Sequence, residues 1–381
     1  MNTIFFICRG NVEALPPALF CLEQLKKFYP EVVLITSGCS QEAHAHLRSA
    51  GVTVLVVGER QGPRYNYAQK FAAGLKFRAT AWQTINSASE PSLIWVVNTH
   101  AAIVLGRRLR ERHFVLQLME LDESPYLRFA LGRIAPKAQA VVVPDLCRAA
   151  IIRAWYKLPK TPFVLPNKSA ILGTRARRLP ISDRTAREEI ERLGNAARIV
   201  LYQGIIRSDR DIRDAAKLIH EMGPPWRLVV MGPDFGFLDA LRAACPTLVH
   251  IPAITAPMHL EVTSHAHIGL ACYSFDCLNN VFCAPNKIFE YAAFGIPVLA
   301  NDVPSLQMTV AANSVGRCCD FNSREQIAAS LAAISNDYDA YSASANSFYE
   351  NTDAEEIFES IVAGLTGSRS PVALAECGIP L

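Results

Sequence analysis

Short apolar runs rich in β-branched residues recur along the chain and alternate with amphipathic stretches of helical length. Ile4–Cys8, Val32–Thr36, Val52–Val57, Leu93–Val97, Phe114–Leu118, Ala140–Val143 and Phe163–Leu165 lack the strict polar alternation of a half-exposed strand, so they are expected to be strands buried on both faces. Between them, Ala18–Phe28, Gln41–Ala50, Tyr67–Thr84 and Ala101–Arg112 carry the spacing of helices. A strand followed by a helix and another strand returns the chain in the same direction, so this order predicts βαβ units around a parallel sheet.

The rhythm restarts in the second half. Ile199–Tyr202, Leu228–Met231, Leu248–Ile251, Ile268–Cys272 and Val298–Ala300 read as strands, with Asp211–Glu221, Phe237–Ala243, Met258–Ser264 and Pro285–Ala293 as the helices between them. At 381 residues the chain exceeds the size of one core, so two domains are expected. The stretch Pro166–Arg198 lacks strand character and holds Arg175, Arg177, Arg178 and Pro180, which places the boundary there. The expected division is 1–168, 169–345, and a terminal helix over 346–381 that packs back on the first domain and ends in a frayed tail of about fifteen residues. The fold class is α/β: two facing, doubly wound, Rossmann-like domains with ligands in the cleft outside the carboxyl ends of their strands.

Composition narrows the function. A net charge of +3 with 19% charged residues excludes disorder and does not announce a nucleic-acid binder. The even total hides an asymmetry, because residues 1–190 hold 26 Lys and Arg against 14 Asp and Glu, a balance of +12, whereas 191–381 hold 12 against 21, a balance of −9. A basic half attracts anionic headgroups, phosphorylated substrates or its own acidic partner. Eleven cysteines, odd in number and without a CxxC pair, point to the reducing cytosol. The opening residues lack the order of a signal peptide, and no run of about 18 apolar residues is present. The expected location is therefore cytoplasmic; for the basic half, peripheral contact at the inner membrane surface is one reading and a plain solvated surface the other.

The stretch Cys283 to Ala300 reads as loop, helix, turn and strand. Pro285 suits a first helical turn and Gly295 a helix end. Backbone N–H groups at such a start, with the dipole, favour a phosphate, and Lys287 adds a full charge. Glu290 lies on the same face amid Ile288, Phe289, Tyr291 and Ala292, where a pair of ribose hydroxyls would satisfy its carboxylate. An exposed Lys–Glu helix pair is the alternative.

The string Pro285-Asn286-Lys287-x-x-Glu290-Tyr291 with Gly295-x-Pro297-Val298 resembles the retaining glycosyltransferases of the GT-B fold, in the large glycosyltransferase family 4 group (glycosyl transferases group 1). The resemblance implies that Glu290 holds the ribose of a nucleotide sugar and that Lys287 and the backbone of Ala284, Pro285 and Asn286 lie near its phosphates or sugar. Many members carry an acidic residue eight positions before this glutamate, where Phe282 stands here. Asn279 and Asn280 resemble a subgroup with an asparagine-containing loop before the helix, which implies that polar sugar contacts have moved there. Turn residues are the alternative for both.

The segment Val200-Leu201-Tyr202-Gln203-Gly204 and the basic loop after it also fit. Gly204 lets a diphosphate approach the backbone, and a loop arginine bridges phosphate oxygens. The resemblance implies that Arg210 stabilises the leaving nucleoside diphosphate, with Arg207 the alternative. The turn at Gly232 lies near the base and phosphates on the same reading, and the segment from Arg148 to Asn167 resembles the approach to an interdomain hinge. In the first half, Arg9, Gly10 and Asn11 follow a strand, and with His100 they are the acceptor-side candidates. Glu120 matches the glutamate of a family His-Glu pair, with Met119 in place of the histidine. Lys287, Arg210 and Glu120 are the catalytic candidates. His265 and His267 have no third ligand at a sensible spacing, and no metal site or cofactor beyond the nucleotide-sugar co-substrate is expected.

The expected activity is transfer of a sugar from a nucleotide donor to an acceptor hydroxyl on a saccharide, lipid-linked saccharide or small molecule, with retention of configuration. Two rivals are a nucleotide-sugar epimerase or hydrolase of the same fold, and a non-catalytic nucleotide-sugar binding protein.

Overall fold

The computed structural model describes residues 2–58, 66–88, 92–168 and 173–366. The expected frayed tail lies outside them. The chain forms two units, one made of Met1–Asn167 together with the chain from Asp353 onward, the other of Lys168–Thr352. The second unit thus extends past 345 to include the helix Tyr338–Asn351, and the chain rejoins the first unit at Asp353.

The first unit is a seven-stranded parallel sheet. Its strands are β1 (Thr3–Asn11), β2 (Glu31–Gly38), β3 (Val52–Val56), β4 (Leu93–Val97), β5 (Phe114–Gln117), β6 (Ala140–Val143) and β7 (Phe163–Val164), in the order β3-β2-β1-β4-β5-β6-β7. The order reverses direction between β1 and β4, where Phe6 stands opposite Leu34 on one side and Trp95 on the other. The helices are α1 (Pro16–Phe28), α2 (Gln41–Ser49), α3 (Tyr67–Asn86), α4 (Asn98–Leu105), α5 (Pro125–Gly132) and α6 (Leu146–Tyr156). Their starts are fixed locally. Ser40 caps α2 through the Ala43 N–H at 3.1 Å, Asn66 and Gln69 form a reciprocal capping box on α3, and Asp145 accepts from the Arg148 N–H on α6 at 2.9 Å.

The expected helix Ala101–Arg112 is two pieces. Gly106 adopts φ +72°, which ends α4 and starts a 3₁₀ segment over Gly106–Glu111. The terminal helix Ala354–Thr366 completes the first core: Phe358 is fully buried, with its ring centre 5.5 Å from Trp95 and 6.2 Å from Phe20.

The second unit is a six-stranded parallel sheet in the order β10-β9-β8-β11-β12-β13. The ranges are β8 (Arg198–Gln203), β9 (Trp226–Met231), β10 (Val249–Ile251), β11 (Ile268–Ala271), β12 (Val298–Asn301) and β13 (Gly316–Cys319). Its helices include α7 (Arg184–Leu193), α8 (Arg213–Met222), α9 (Leu238–Ala244), α10 (His259–Thr263), α11 (Leu278–Val281) and α12 (Asn286–Ala293). Strand β13 was not expected, because Gly316-Arg317-Cys318-Cys319 has no β-branched residue. A side chain is excluded at its start, since a Cβ on Gly316 would stand 1.8 Å from the Val298 carbonyl oxygen. Among the described residues no helix is long and apolar enough to cross a membrane.

Candidate functional site

In the second sheet the strand order reverses between β8 and β11, so their carboxyl ends open a crevice of the kind open α/β sheets use for ligands. Two glycines shape it. Gly204, directly after β8, has φ +126°, and Gly232, directly after β9, has φ +145°. A Cβ on Gly232 would meet the Gly204 carbonyl oxygen at 1.9 Å, so the two loops touch backbone to backbone. The Gly232 carbonyl accepts from His250 Nε2 at 3.0 Å.

Helix α12 begins at Asn286 with Pro285 as its N-cap, one residue later than expected, and Ala284, Pro285 and Asn286 are half-buried at its mouth. Lys287 turns inward. Its ammonium lies 4.4 Å from the centre of the Tyr202 ring and 5.6 Å from that of Tyr273, and a Cβ on Gly204 would approach it to 3.2 Å. No carboxylate oxygen lies within ion-pairing distance of it among the described residues. Burial, then the neighbouring Arg210 charge, push its pKa from 10.5 down to about 8, against the pull of Glu290. Lys287 and Glu290 are both 8% exposed, so the alternative of an exposed helix pair does not hold.

The Arg210 guanidinium carbon lies over the Tyr273 ring, 4.1 Å from its centre. It donates to Asn280 Oδ1 at 2.7 Å and pairs with Asp209 Oδ2 at 3.2 Å. Asn280, expected as a sugar contact, is buried and spends its side chain otherwise: Nδ2 donates to Asp276 Oδ1 at 2.8 Å and to Ser274 Oγ at 3.1 Å. It positions Arg210. Asn279, beside it on α11, is half-buried. Arg207 is over half exposed and pairs with Asp209 Oδ1 at 3.3 Å.

Glu290 already has partners within the chain. Gln203 Nε2 donates to its Oε2, and His259 Nε2 lies 3.3 Å from its Oε1. Thr263 Oγ1 lies 2.7 Å from Gln203 Oε1. Sequence reasoning missed Gln203, His259, Thr263 and the aromatic walls Tyr202 and Tyr273. A glutamine closing an apolar strand directly before a glycine was the one available signal.

In the first unit the carboxyl ends of β1, β4 and β5 gather the remaining candidates along one sheet edge. Arg9 donates to the Lys70 carbonyl at 3.4 Å, and burial lowers its pKa. A Cβ on Gly10 would meet nothing within 4 Å, while its carbonyl accepts from Thr36 Oγ1 at 2.9 Å. Asn11 donates to Glu13 Oε1 at 2.9 Å, and its own Oδ1 is buried without a partner among the described residues. His100 sits exposed in the first turn of α4 rather than at a strand end, because Asn98, at φ +65°, starts the helix immediately after β4. Glu120 is exposed just beyond β5. His265 Nε2 contacts the Leu179 carbonyl at 2.8 Å and His267 stacks on Tyr338 at 4.2 Å. Among the described residues no three His, Cys, Asp or Glu side chains form a metal-binding group.

No protein-family model matches the sequence, and no curated protein is similar to it. Solved structures do match. Anabaena HepE in complex with UDP and glucose superposes with a TM-score of 0.72 over 95% of this chain and 99% of its own, at 13% identity. Sucrose-phosphate synthase from Thermosynechococcus elongatus gives 0.66 over 97% of each chain at 17% identity. A putative UDP-N-acetylglucosamine 2-epimerase from Listeria monocytogenes gives 0.63 over 98% of each at 14% identity. Across these matches the common property is architecture: the chain has the GT-B fold, built from two Rossmann-like α/β domains with parallel sheets of seven and six strands.

Proposed function

We propose that the protein is a glycosyltransferase that moves a sugar from a nucleotide-sugar donor to an acceptor hydroxyl with retention of configuration, in the manner of family 4. The observation that carries this reading is the convergence of Gly204, Arg210, Lys287 and Glu290 at the reversal point of the second sheet. Two cations, one of them buried without a carboxylate partner among the described residues, stand by loops whose backbones meet so closely that Gly232 admits no side chain. Such a site suits a diphosphate. HepE binds UDP on the same architecture, which makes UDP-sugars the first donors to test.

In this mechanism Arg210, Lys287 and the amino terminus of α12 take up the charge that develops on the departing diphosphate. The bond from the sugar's anomeric carbon to the phosphate oxygen breaks, and the acceptor oxygen bonds to that carbon on the same face. The leaving phosphate oxygen takes the acceptor's proton. Charge compensation comes from the chain, so no metal or cofactor is assigned. Glu290 holds the ribose, and Arg9, Gly10, Asn11, His100 and Glu120 face the acceptor.

The acceptor is assigned to a membrane surface of anionic character, where a cytoplasmic enzyme would meet a lipid-linked saccharide. The first unit carries exposed Phe71 and Leu75 on α3 and Tyr126 and Phe129 on α5, interleaved with Lys70, Lys76, Arg128 and Arg133. Purified protein should turn over a UDP-sugar only when acceptor is present, with EDTA added and without loss of rate. Donor converted to a new sugar in the absence of acceptor would identify an epimerase, and binding without turnover against a broad acceptor panel would identify a binding protein.

A further inference from the structure

We infer that Gln203, Thr263 and His259 are positioning residues that fix the Glu290 carboxylate for recognition of a ribose, so that the site rejects deoxyribose. The inference rests on the reading of Glu290 given above. Gln203 and Thr263 are buried, and the threonine hydroxyl lies 2.7 Å from Gln203 Oε1 and 3.1 Å from the His259 carbonyl. With its proton on Gln203 Oε1, the hydroxyl holds the carboxamide so that Nε2 faces Glu290 Oε2; the flipped amide would set two acceptors against each other.

His259 grips the other oxygen. Its Nε2 lies 3.3 Å from Glu290 Oε1, while its Nδ1 is buried with no partner, so the ring's one polar contact among the described residues is with this carboxylate. Oε2 accepts a hydrogen bond from Gln203, Oε1 lies within ion-pairing distance of His259, and each oxygen keeps a further lone pair. Two vicinal hydroxyls supply two donors. A carboxylate anchored from both sides and open at both oxygens matches that pair and leaves one site empty when a hydroxyl is missing.

The test uses the full chain and calorimetric Kd values for UDP, GDP and ADP, each against its 2′-deoxy counterpart. The best-bound ribonucleotide should bind about tenfold or more tighter than its deoxy form, the worth of one bond to a charged group. Glu290→Gln should bring that ratio to within about threefold. Gln203→Leu, His259→Leu and the near-isosteric Thr263→Val should lower it likewise while leaving the deoxynucleotide Kd nearly unchanged, and Thr263→Ser should keep it. A structural role alone would weaken both ligands together, and that result overturns the inference. So does a ratio lost in Glu290→Gln but intact in the three positioning variants. Absence of any ratio in the wild type, or a ratio untouched by Glu290→Gln, sinks the underlying assignment of Glu290 instead.

Discussion

The ammonium of Lys287 lies 4.4 Å from the centre of the Tyr202 ring, inside the second unit and next to a glycine that gives it room. Its pKa of about 8 lies below the ordinary 10.5, so between those values the unfolded chain binds a proton that the folded chain lacks. The residue's contribution to stability therefore rises with pH across that window and is at its most unfavourable below it. Lys287→Met should unfold at higher urea than the wild type at pH 7, by about 1–3 kcal/mol, with the gap closing towards pH 10. A constant gap would show that the lysine is not desolvated.

Under the proposed function the same proton governs diphosphate binding. A diphosphate favours the ammonium form, so binding above pH 8 requires proton uptake, and UDP affinity should fall by up to roughly tenfold per pH unit there. Calorimetry between pH 7 and 9.5 in buffers of different ionisation heat reads both the fall and the uptake. The fall should vanish in Lys287→Met.

Gly232→Ala sets a methyl group against the Gly204 carbonyl at 1.9 Å and adds a side chain at φ +145°. It should cost roughly 3 kcal/mol or more in denaturant melts. Gly10→Ala, where a Cβ meets nothing within 4 Å, should stay within about 0.5 kcal/mol of wild type. Any loss of turnover in Gly10→Ala then reports substrate contact rather than folding.

Arg210→Ala should lower kcat by about 10²-fold or more if the guanidinium meets developing charge. Asn280→Ala, which leaves Arg210 Nη1 with Asp209 alone and Asp276 and Ser274 without their shared donor, should lower kcat less and stability by about 1–3 kcal/mol. Equal kcat in both variants and wild type would remove Arg210 from the chemistry.

Phe358→Ala should destabilise the first unit by about 3–5 kcal/mol, because the ring fills space against Trp95 and Phe20. Trp95 fluorescence reports that loss directly.

The strands were legible because parallel strands covered on both faces read as unbroken apolar runs, from Ile4 to Val298. β13 was not, since its pairing depends on what Gly316 omits rather than on what its neighbours carry. Pro285, Lys287, Glu290 and Gly295 announce a helix and its limits, and Gly295 does adopt φ +59°. What the helix face meets is a tertiary matter. Gln203 and His259 lie 87 and 31 positions before Glu290, and only the sheet order and the placement of α10 bring them to its carboxylate. The bracing role of Asn280 was hidden for the same reason: a polar residue beside a site looks identical in sequence whether it touches ligand or braces an arginine.

The first unit's core includes Ala354, Phe358, Ile361 and Val362, which follow the whole of the second unit in the chain. On the ribosome, the residues made first are therefore completed last. Trp95 must wait for some 260 further residues before its ring is covered, while the second unit, continuous from Lys168 to Thr352, has all of its core in hand once its own final helix emerges.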